Sequence, residues 1–176
     1  MALTQVRAAG LETLPTGAVL QVKSTTKTDV SSFSSSSTSN FADLSGLSVS
    51  ITPISTSNKI LVLFTVNVSQ STTATAHVRL VRDSTAIYIG DAGGTAGIRS
   101  STLVRNAATP YAYELPNLSG AHLDSPSSTS AITYKLQGTL GSTYSGTFYV
   151  NRVKTDGDSD FQGRTASHIT VMEIAG

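Results

Sequence analysis

The stretch KILVLFTVNVS, residues 59–69, decides the fold class of this sequence. Its first half is continuously apolar, and its second half alternates apolar with polar residues. Continuous apolar character is typical of a strand covered on both faces, whereas alternation is typical of a strand with one buried face. We therefore predict that residues 59–69 form a central strand and supply much of the core.

Period-two patterns continue on both sides of this stretch. Residues 47–52 alternate apolar with hydroxylated side chains and stop at Pro53, and a more mixed strand starts at Ala18. Residues 76–90 predict a hairpin that turns at Arg82-Asp83-Ser84-Thr85. Further strand-like runs lie at residues 98–105, 111–123, 131–138, 146–153 and 168–174. Pro116 places the run at 111–123 at a sheet edge or at a bulge. Many short strands without an amphipathic helix predict an all-β fold, a single antiparallel β-sandwich or jelly roll.

The composition narrows the classes of partner. The 176 residues suffice for one domain, the formal net charge is +1, and only 13% of residues are charged. We expect neither nucleic acid binding nor membrane insertion, because there is no basic stripe and no apolar run approaches ~20 residues. The opening MALTQVRAAG also lacks the apolar run of a signal-peptide core. Cysteine is absent, which excludes disulfides and the common zinc sites, and we expect no cofactor.

The start of the chain differs from the rest. Thr4 is suited to cap one or two helical turns that end at Gly10, and a helix that short is marginal unless it docks on something. We therefore divide the chain into an N-terminal docking arm, residues 1–16, and a β-sandwich domain, residues 17–176. The arm residues expected to contact another protein are Leu3, Val6, Arg7 and Leu11.

The serine run SSFSSSSTSN, residues 31–40, has the composition of a flexible linker. Strand-like segments flank it, however, and Phe33 and Phe41 bracket it as anchors for one sheet face. We predict that the run forms the solvent side and tip of an early strand pair within the sandwich.

Residues that could carry chemistry are scattered. His77, His122 and His168 lie on three different predicted strands, and no nucleophile-elbow motif surrounds any serine. The few glutamates also lie in unrelated segments, so we expect no enzymatic activity.

The turn Asp156-Gly-Asp-Ser-Asp160 has carboxylates at alternate positions, Asp156, Asp158 and Asp160, which could converge on a hard cation such as calcium. The sixth and twelfth positions that an EF-hand loop requires are Phe161 and Ser167 instead. A solvated acidic turn is therefore favoured over a metal site.

Tyrosines beside serine and glycine are typical of adaptable recognition loops. Tyr111, Tyr113 and Tyr144 are the candidates for a surface that contacts a glycan or a protein. Packing at the edge of the core, with the hydroxyl groups reaching water, would explain these tyrosines as well.

The order of the segments carries a resemblance. The segments concerned are GAVLQVKSTTKTD (17–29), LSGLSVSITP (44–53), STSNKILVLFTVNVS (55–69), RLVRDSTAIYIGD (79–91), LDSPSSTSAITYKLQ (123–137), FYVNRV (148–153) and ITVMEI (169–174). This succession resembles a β-sandwich module of tailed bacteriophages of marine and freshwater, cyanophage-like type, which usually ends tail-fibre or other virion surface proteins.

The resemblance implies a non-enzymatic virion component that is assembled in the host cytoplasm. It implies a homotrimer whose arm docks on another virion protein, of tail or capsid, and whose domain contacts the host surface. Because the module has no fibre shaft here, a capsid decoration protein is the alternative.

Overall fold

The computed structural model describes residues 15–35, 40–91, 98–105, 113–141 and 145–176. The predicted arm residues 1–14, including Leu3, Val6, Arg7 and Leu11, lie outside these ranges. The described elements are eleven strands: β1 (Val19–Lys27), β2 (Ser31–Ser35), β3 (Ala42–Ile51), β4 (Lys59–Gln70), β5 (Thr75–Arg82), β6 (Thr85–Ile87), β7 (Thr102–Arg105), β8 (Asn117–Asp124), β9 (Ile132–Gly141), β10 (Gly146–Val150) and β11 (Ser167–Ile174). Within the described ranges, no helix is long and apolar enough to cross a membrane.

The first sheet is built around β4. Strand β8 pairs along one edge of β4, while β11 and β10 pair one after the other along its opposite edge. Strand β1 then pairs with β11, and β2 pairs with β10. All of these pairings are antiparallel, so the sheet is four strands wide.

The second sheet has the same width. Its order is β3, β9, β5, and then β6 and β7 share the remaining edge of β5. The two sheets pack face to face, with β1 beside β3 at one open side and β8 beside β7 at the other. The fold is an all-β antiparallel sandwich, and the predicted fold class is confirmed.

Strand β4 forms the centre of the core, as its sequence predicts. Every second side chain from Ile60 to Val68 points between the sheets and is at most 2% exposed. Facing them are buried residues of the second sheet, Leu80, Leu136 and Tyr134 among them. The prediction that residues 59–69 form a covered central strand is confirmed.

The serine run belongs partly to the sandwich. Its first half is β2, and the Phe33 ring stacks on Phe148 with ring centroids 5.1 Å apart. Phe41 lies under the Arg79 guanidinium, 3.9 Å from the ring centroid. The expected strand pair was wrong, because β2 pairs with β10 in the first sheet and β3 pairs with β9 in the second. Residues 36–39 lie outside the described ranges.

Two local predictions are confirmed. Strands β5 and β6 form the expected hairpin, and Asp83 in its turn adopts φ 53°, a conformation that Asp tolerates better than most residues. Strand β8 starts directly after Pro116 and, among the described strands, pairs with β4 alone, so it lies at an edge of the sheet.

Gly120 on β8 makes room for two aromatic rings. A Cβ atom there would lie 2.6 Å from Cε1 of Phe64 and 3.0 Å from Cε1 of Tyr88. We expect Gly120→Ala to lower the free energy of unfolding by about 1–3 kcal/mol, because the buried ring has no space to withdraw. The control is Gly90→Ala, where nothing lies within 4 Å of the added atom, and we expect a change of at most about 0.5 kcal/mol. Equal urea-unfolding midpoints for the two variants would contradict this packing.

Candidate interaction surfaces

The two ends of the sandwich differ in what they carry. At one end the start of β1 meets the last residues of the chain: the Gly17 amide donates to the Ala175 carbonyl at 2.9 Å, and the Ala175 amide donates to the Ala18 carbonyl at 2.9 Å. Pairing of Ile60 with Asp124 places the end of β8 here as well. We call this the arm end, since the predicted arm leads into it. It consists of residues 15–18, 52–58, 125–131 and 174–176.

A buried carboxylate organises the arm end. Glu173 is 0% exposed, and among the described residues it forms no ion pair with a Lys, Arg or His side chain. Its Oε1 accepts from Nδ2 of Asn58 at 2.6 Å and from the Ile54 amide at 2.7 Å, and its Oε2 accepts from Nε2 of Gln21 at 2.6 Å. These bonds connect β1, β11 and the β3–β4 connection, so the end that continues into the arm is fixed to the sandwich.

Ionisation of Glu173 is coupled to folding. Burial opposes the charged form, but the hydrogen bonds from Asn58, Gln21 and the Ile54 and Ser55 backbone outweigh it, and the pKa of Glu173 is lowered. A carboxyl group whose pKa is lower in the folded state than in the unfolded state stabilises the fold at pH values above its unfolded-state pKa of ~4.3. That stabilisation is lost as pH falls through the lowered value.

We therefore expect Asn58→Ala to destabilise the protein by about 1–3 kcal/mol at neutral pH, because a buried acceptor loses its donor. The difference from the parent protein should shrink at acidic pH, where Glu173 is protonated in both. The control is Asn117→Ala, which removes a hydrogen bond to another asparagine, Asn67, so its effect should not change with pH. Urea unfolding at fixed protein concentration across this pH range measures both, and a pH-independent effect of Asn58→Ala would contradict the role assigned to Glu173.

The opposite end carries the long connection between β10 and β11. We call it the loop end; it consists of residues 71–74, 113–116 and 151–166. Asn151 fixes the start of this connection, with φ 62° and a fully buried side chain. Its Nδ2 donates to the Lys27 and Asp29 carbonyls at 2.9 and 3.0 Å, and its Oδ1 accepts from Oγ of Ser167 at 2.5 Å. The loop therefore leaves and rejoins the sheet at one buried polar point.

Arginines neutralise the acidic turn of this loop. Both oxygens of Asp156 accept from Arg164, through Nε and Nη2, at 3.0 Å each, and Nη1 of Arg152 lies 3.5 Å from Oδ2. The hydrogen bond from Arg164 is the main reason why the pKa of Asp156 is lowered. Among the described residues no group of three His, Asp or Glu side chains could hold a metal ion. Because both oxygens of Asp156 are paired with Arg164, the turn of Asp156, Asp158 and Asp160 is better described as an ion-paired loop than as a cation site.

Two exposed aromatic rings meet at the loop end. Tyr113, just before β8, and Phe161, in the β10–β11 loop, are 50% and 56% exposed, and their rings pack edge to face with centroids 4.7 Å apart. Sequence analysis singled out Tyr113 but missed Phe161, whose neighbour is distant in sequence. Tyr111 and Tyr144 lie outside the described residues, although the strand ends that flank their segments lie at this end.

The outer face of the first sheet is apolar near the arm end. Strand register places four side chains in one line across the sheet, from Val22 through Met172 and Leu61 to Leu123. We call these four residues the apolar row. Val22 and Leu123 are about half exposed, at 51% and 48%. The apolar row lies on the face opposite the core, because the alternate β4 residues Ile60 and Val62 point inward.

Two further rows continue this face toward the loop end. The second row is Ser24, Thr170, Leu63 and Ala121, and the third is Thr26, His168, Thr65 and Ser119. None of the twelve residues in the three rows is Asp, Glu, Lys or Arg. We call the three rows together the uncharged face.

The outer face of the second sheet has the opposite character. Asp43 accepts from Nζ of Lys135 at 2.8 Å and from Nε2 of Gln137 at 2.6 Å, and Arg79 donates to Oε1 of Gln137 through Nε and Nη2 at 2.9 and 2.7 Å. The hydrogen bond from Lys135 is the main cause that lowers the pKa of Asp43. The outer face of the second sheet therefore presents charged and polar groups to water.

The histidines and buried acids do not converge on one site. His77 on the second sheet contacts Oγ of Ser100 at 3.1 Å, and burial lowers its pKa. His122 stacks on Tyr88 at 5.2 Å between centroids, while His168 lies on the uncharged face. Buried Asp124 accepts from Arg82 at 2.9 Å and from the Tyr134 hydroxyl at 2.6 Å. Each group has a packing role in a different part of the sandwich.

The sequence matches no model of a protein family and no curated protein sequence. The function therefore has to be inferred from three features: the arm end with its hydrogen-bonded Glu173, the loop end with its aromatic pair, and the uncharged face.

Proposed function

We propose that this protein is a non-enzymatic structural component of a bacteriophage virion, of tail-fibre or receptor-binding type. It acts as a homotrimeric surface module that is attached through its N-terminal arm and presents its loop end to the host. The resemblance in the order of sequence segments is one support for this proposal. The other is that the two ends of the sandwich carry different features, the connection to the arm at one end and the aromatic pair at the other.

The polarity of the sandwich is the observation that carries the proposal. The arm joins β1 at the arm end, where Glu173 fixes the neighbouring loop, while Tyr113 and Phe161 lie at the loop end. Strand β4, with 12 residues, runs between the two ends and separates them by roughly 36 Å. A module held at one end therefore keeps the opposite end clear of its attachment point.

The loop end has the chemistry of a contact surface. The two rings of the aromatic pair pack against each other and stay half exposed, and such rings contribute much of the energy of protein and sugar contacts at little entropic cost. The adjoining concavity is lined by Asp156, Gly157, Asp158, Ser159, Gln162 and Arg164, which offer hydrogen-bonding groups beside the rings. A glycan or a protein of the host surface fits this combination.

A capsid decoration protein is the alternative. An arm that docks on the capsid shell and a sandwich that projects from it would use the same polarity. The two roles differ in copy number: a tail component is present in a handful of copies, whereas a decoration protein is present in hundreds.

Imaging of intact particles tests the location. We expect antibody labelling or a density map to place this chain at the tail, in a few copies per particle, with residues 1–16 toward the virion. Hundreds of copies on the head would replace the receptor-binding role with decoration. Absence of the chain from purified particles would overturn the proposed function altogether.

Adsorption tests the loop end. Particles carrying Tyr113→Ala and Phe161→Ala together should bind their propagation strain at least about tenfold less tightly, since ~1.4 kcal/mol is a factor of ten and one aromatic hot spot typically contributes ~2 kcal/mol. The control is Ile54→Ala, a 70% exposed side chain at the arm end, which should adsorb normally. Normal adsorption of the double variant, at normal incorporation into particles, would exclude this surface from host contact.

A further inference from the structure

The uncharged face is unusual for an exposed sheet surface. A sheet face in water is ordinarily lined by polar and charged side chains, and the second sheet follows this rule with Asp43, Lys135 and Arg79. The first sheet instead exposes the apolar row and, beyond it, hydroxyl groups and His168. Depletion of charge together with contiguous apolar area is the compositional mark of an interface core.

We propose that the uncharged face is the surface through which copies of this chain assemble around a rotation axis. Near such an axis each side chain approaches its own copies, so a Lys, Arg, Asp or Glu there would meet a like charge. Val22, Leu61 and Leu123 meet their copies without that cost. Serine and threonine hydroxyls can donate to and accept from one another, as Ser24 and Thr170 already do at 2.8 Å within the chain.

A second copy fits this face better than a partner of different chemistry. Specificity toward a different protein usually comes from electrostatic complementarity. The three rows carry no formal charge, so they offer no such complementarity. The neutral rows are complementary to themselves, and the apolar row becomes buried where the copies approach most closely.

The size of the face sets what the rest of the assembly has to supply. Four strands at ~4.8 Å and three rows at ~6.8 Å give a flat footprint of roughly 400 Å². This is about half of the ~800 Å² per partner of a standard interface. In a closed ring of more than two copies, each subunit adds a flank of its sandwich to this central contact.

The inference depends on the proposed function only for the number of copies. Assembly is measured on the purified full-length chain, whereas the location is measured on particles. A chain that assembles through this face but occurs on no virion would refute the function and leave the interface standing. A virion protein that stays monomeric would refute the interface and the trimer and leave the virion role standing.

The test places charge on the face. Full-length protein should have a mass by light scattering that is a multiple of the chain mass at micromolar concentration. Val22→Lys combined with Leu123→Lys should shift it to the monomer, raising the dissociation constant at least about 100-fold, because lysines on neighbouring copies would be brought together without partners. Both sites are about half exposed on edge strands, so the monomer should still fold, and an unchanged β-type circular dichroism spectrum checks this.

Leu103→Lys is the matched control. Leu103 is 53% exposed and lies on an edge strand of the second sheet, so its substitution makes the same kind of change as each single lysine substitution, on the other side of the molecule. It should leave the oligomer intact. A parent protein that is monomeric at about 100 μM, or an oligomer that survives the double substitution, would overturn the proposal. A monomer in which residues 1–14 protect the face from hydrogen exchange would also overturn it, since the arm would then be the occupant.

Discussion

Both edges of β4 are hydrogen-bonded to neighbouring strands, and the rest of the sandwich depends on this constraint. One edge pairs with β8, and the other is shared between β11 and β10, so residues far apart in sequence are brought into one sheet. A strand so enclosed has to be apolar on its core side, and Ile60, Val62 and Phe64 provide that side. The sharing of one edge also creates a gap between β10 and β11, from which the long loop of residues 151–166 emerges.

Buried polar groups then fix the two ends, where β-pairing stops. At the arm end Glu173 accepts hydrogen bonds from β1 and from the β3–β4 connection. At the loop end the Asn151 side chain donates to the Lys27 and Asp29 carbonyls and accepts from Ser167. A buried carboxylate without a cation is costly unless its oxygens are satisfied, and here hydrogen bonds satisfy them. These two sets of hydrogen bonds fix both ends of the sandwich, as the proposed attachment at one end and contact at the other require.

The sequence predicts those features of the structure that depend on residues close together in the chain. The β4 apolar run, the Asp83 turn and the edge strand after Pro116 each depend on residues within about a dozen positions. Pairing is not local: the strand-like flanks of the serine run and its two phenylalanines suggested a strand pair, but Phe33 stacks on Phe148, 115 positions away, and the flanking strands enter different sheets. Phe161 and the apolar row were missed for the same reason, since they acquire meaning only when strand register sets them beside Tyr113 or beside one another.

The two outer faces of the sandwich differ in charge, so its two sides are not equivalent, just as its two ends are not. The second sheet uses Asp43, Arg79 and Lys135 to hold its exposed face in water, although the whole chain has few charged residues to distribute. The uncharged face of the first sheet carries serine, threonine, histidine and aliphatic side chains, and Lys59 lies beside it at the arm end. Exposed Val22 and Leu123 lower the solubility of a monomer. In the assembly proposed above, the uncharged face lies at the centre and the charged face lies outside, and this gives the low charge content of the sequence and the neutrality of the uncharged face one physical explanation.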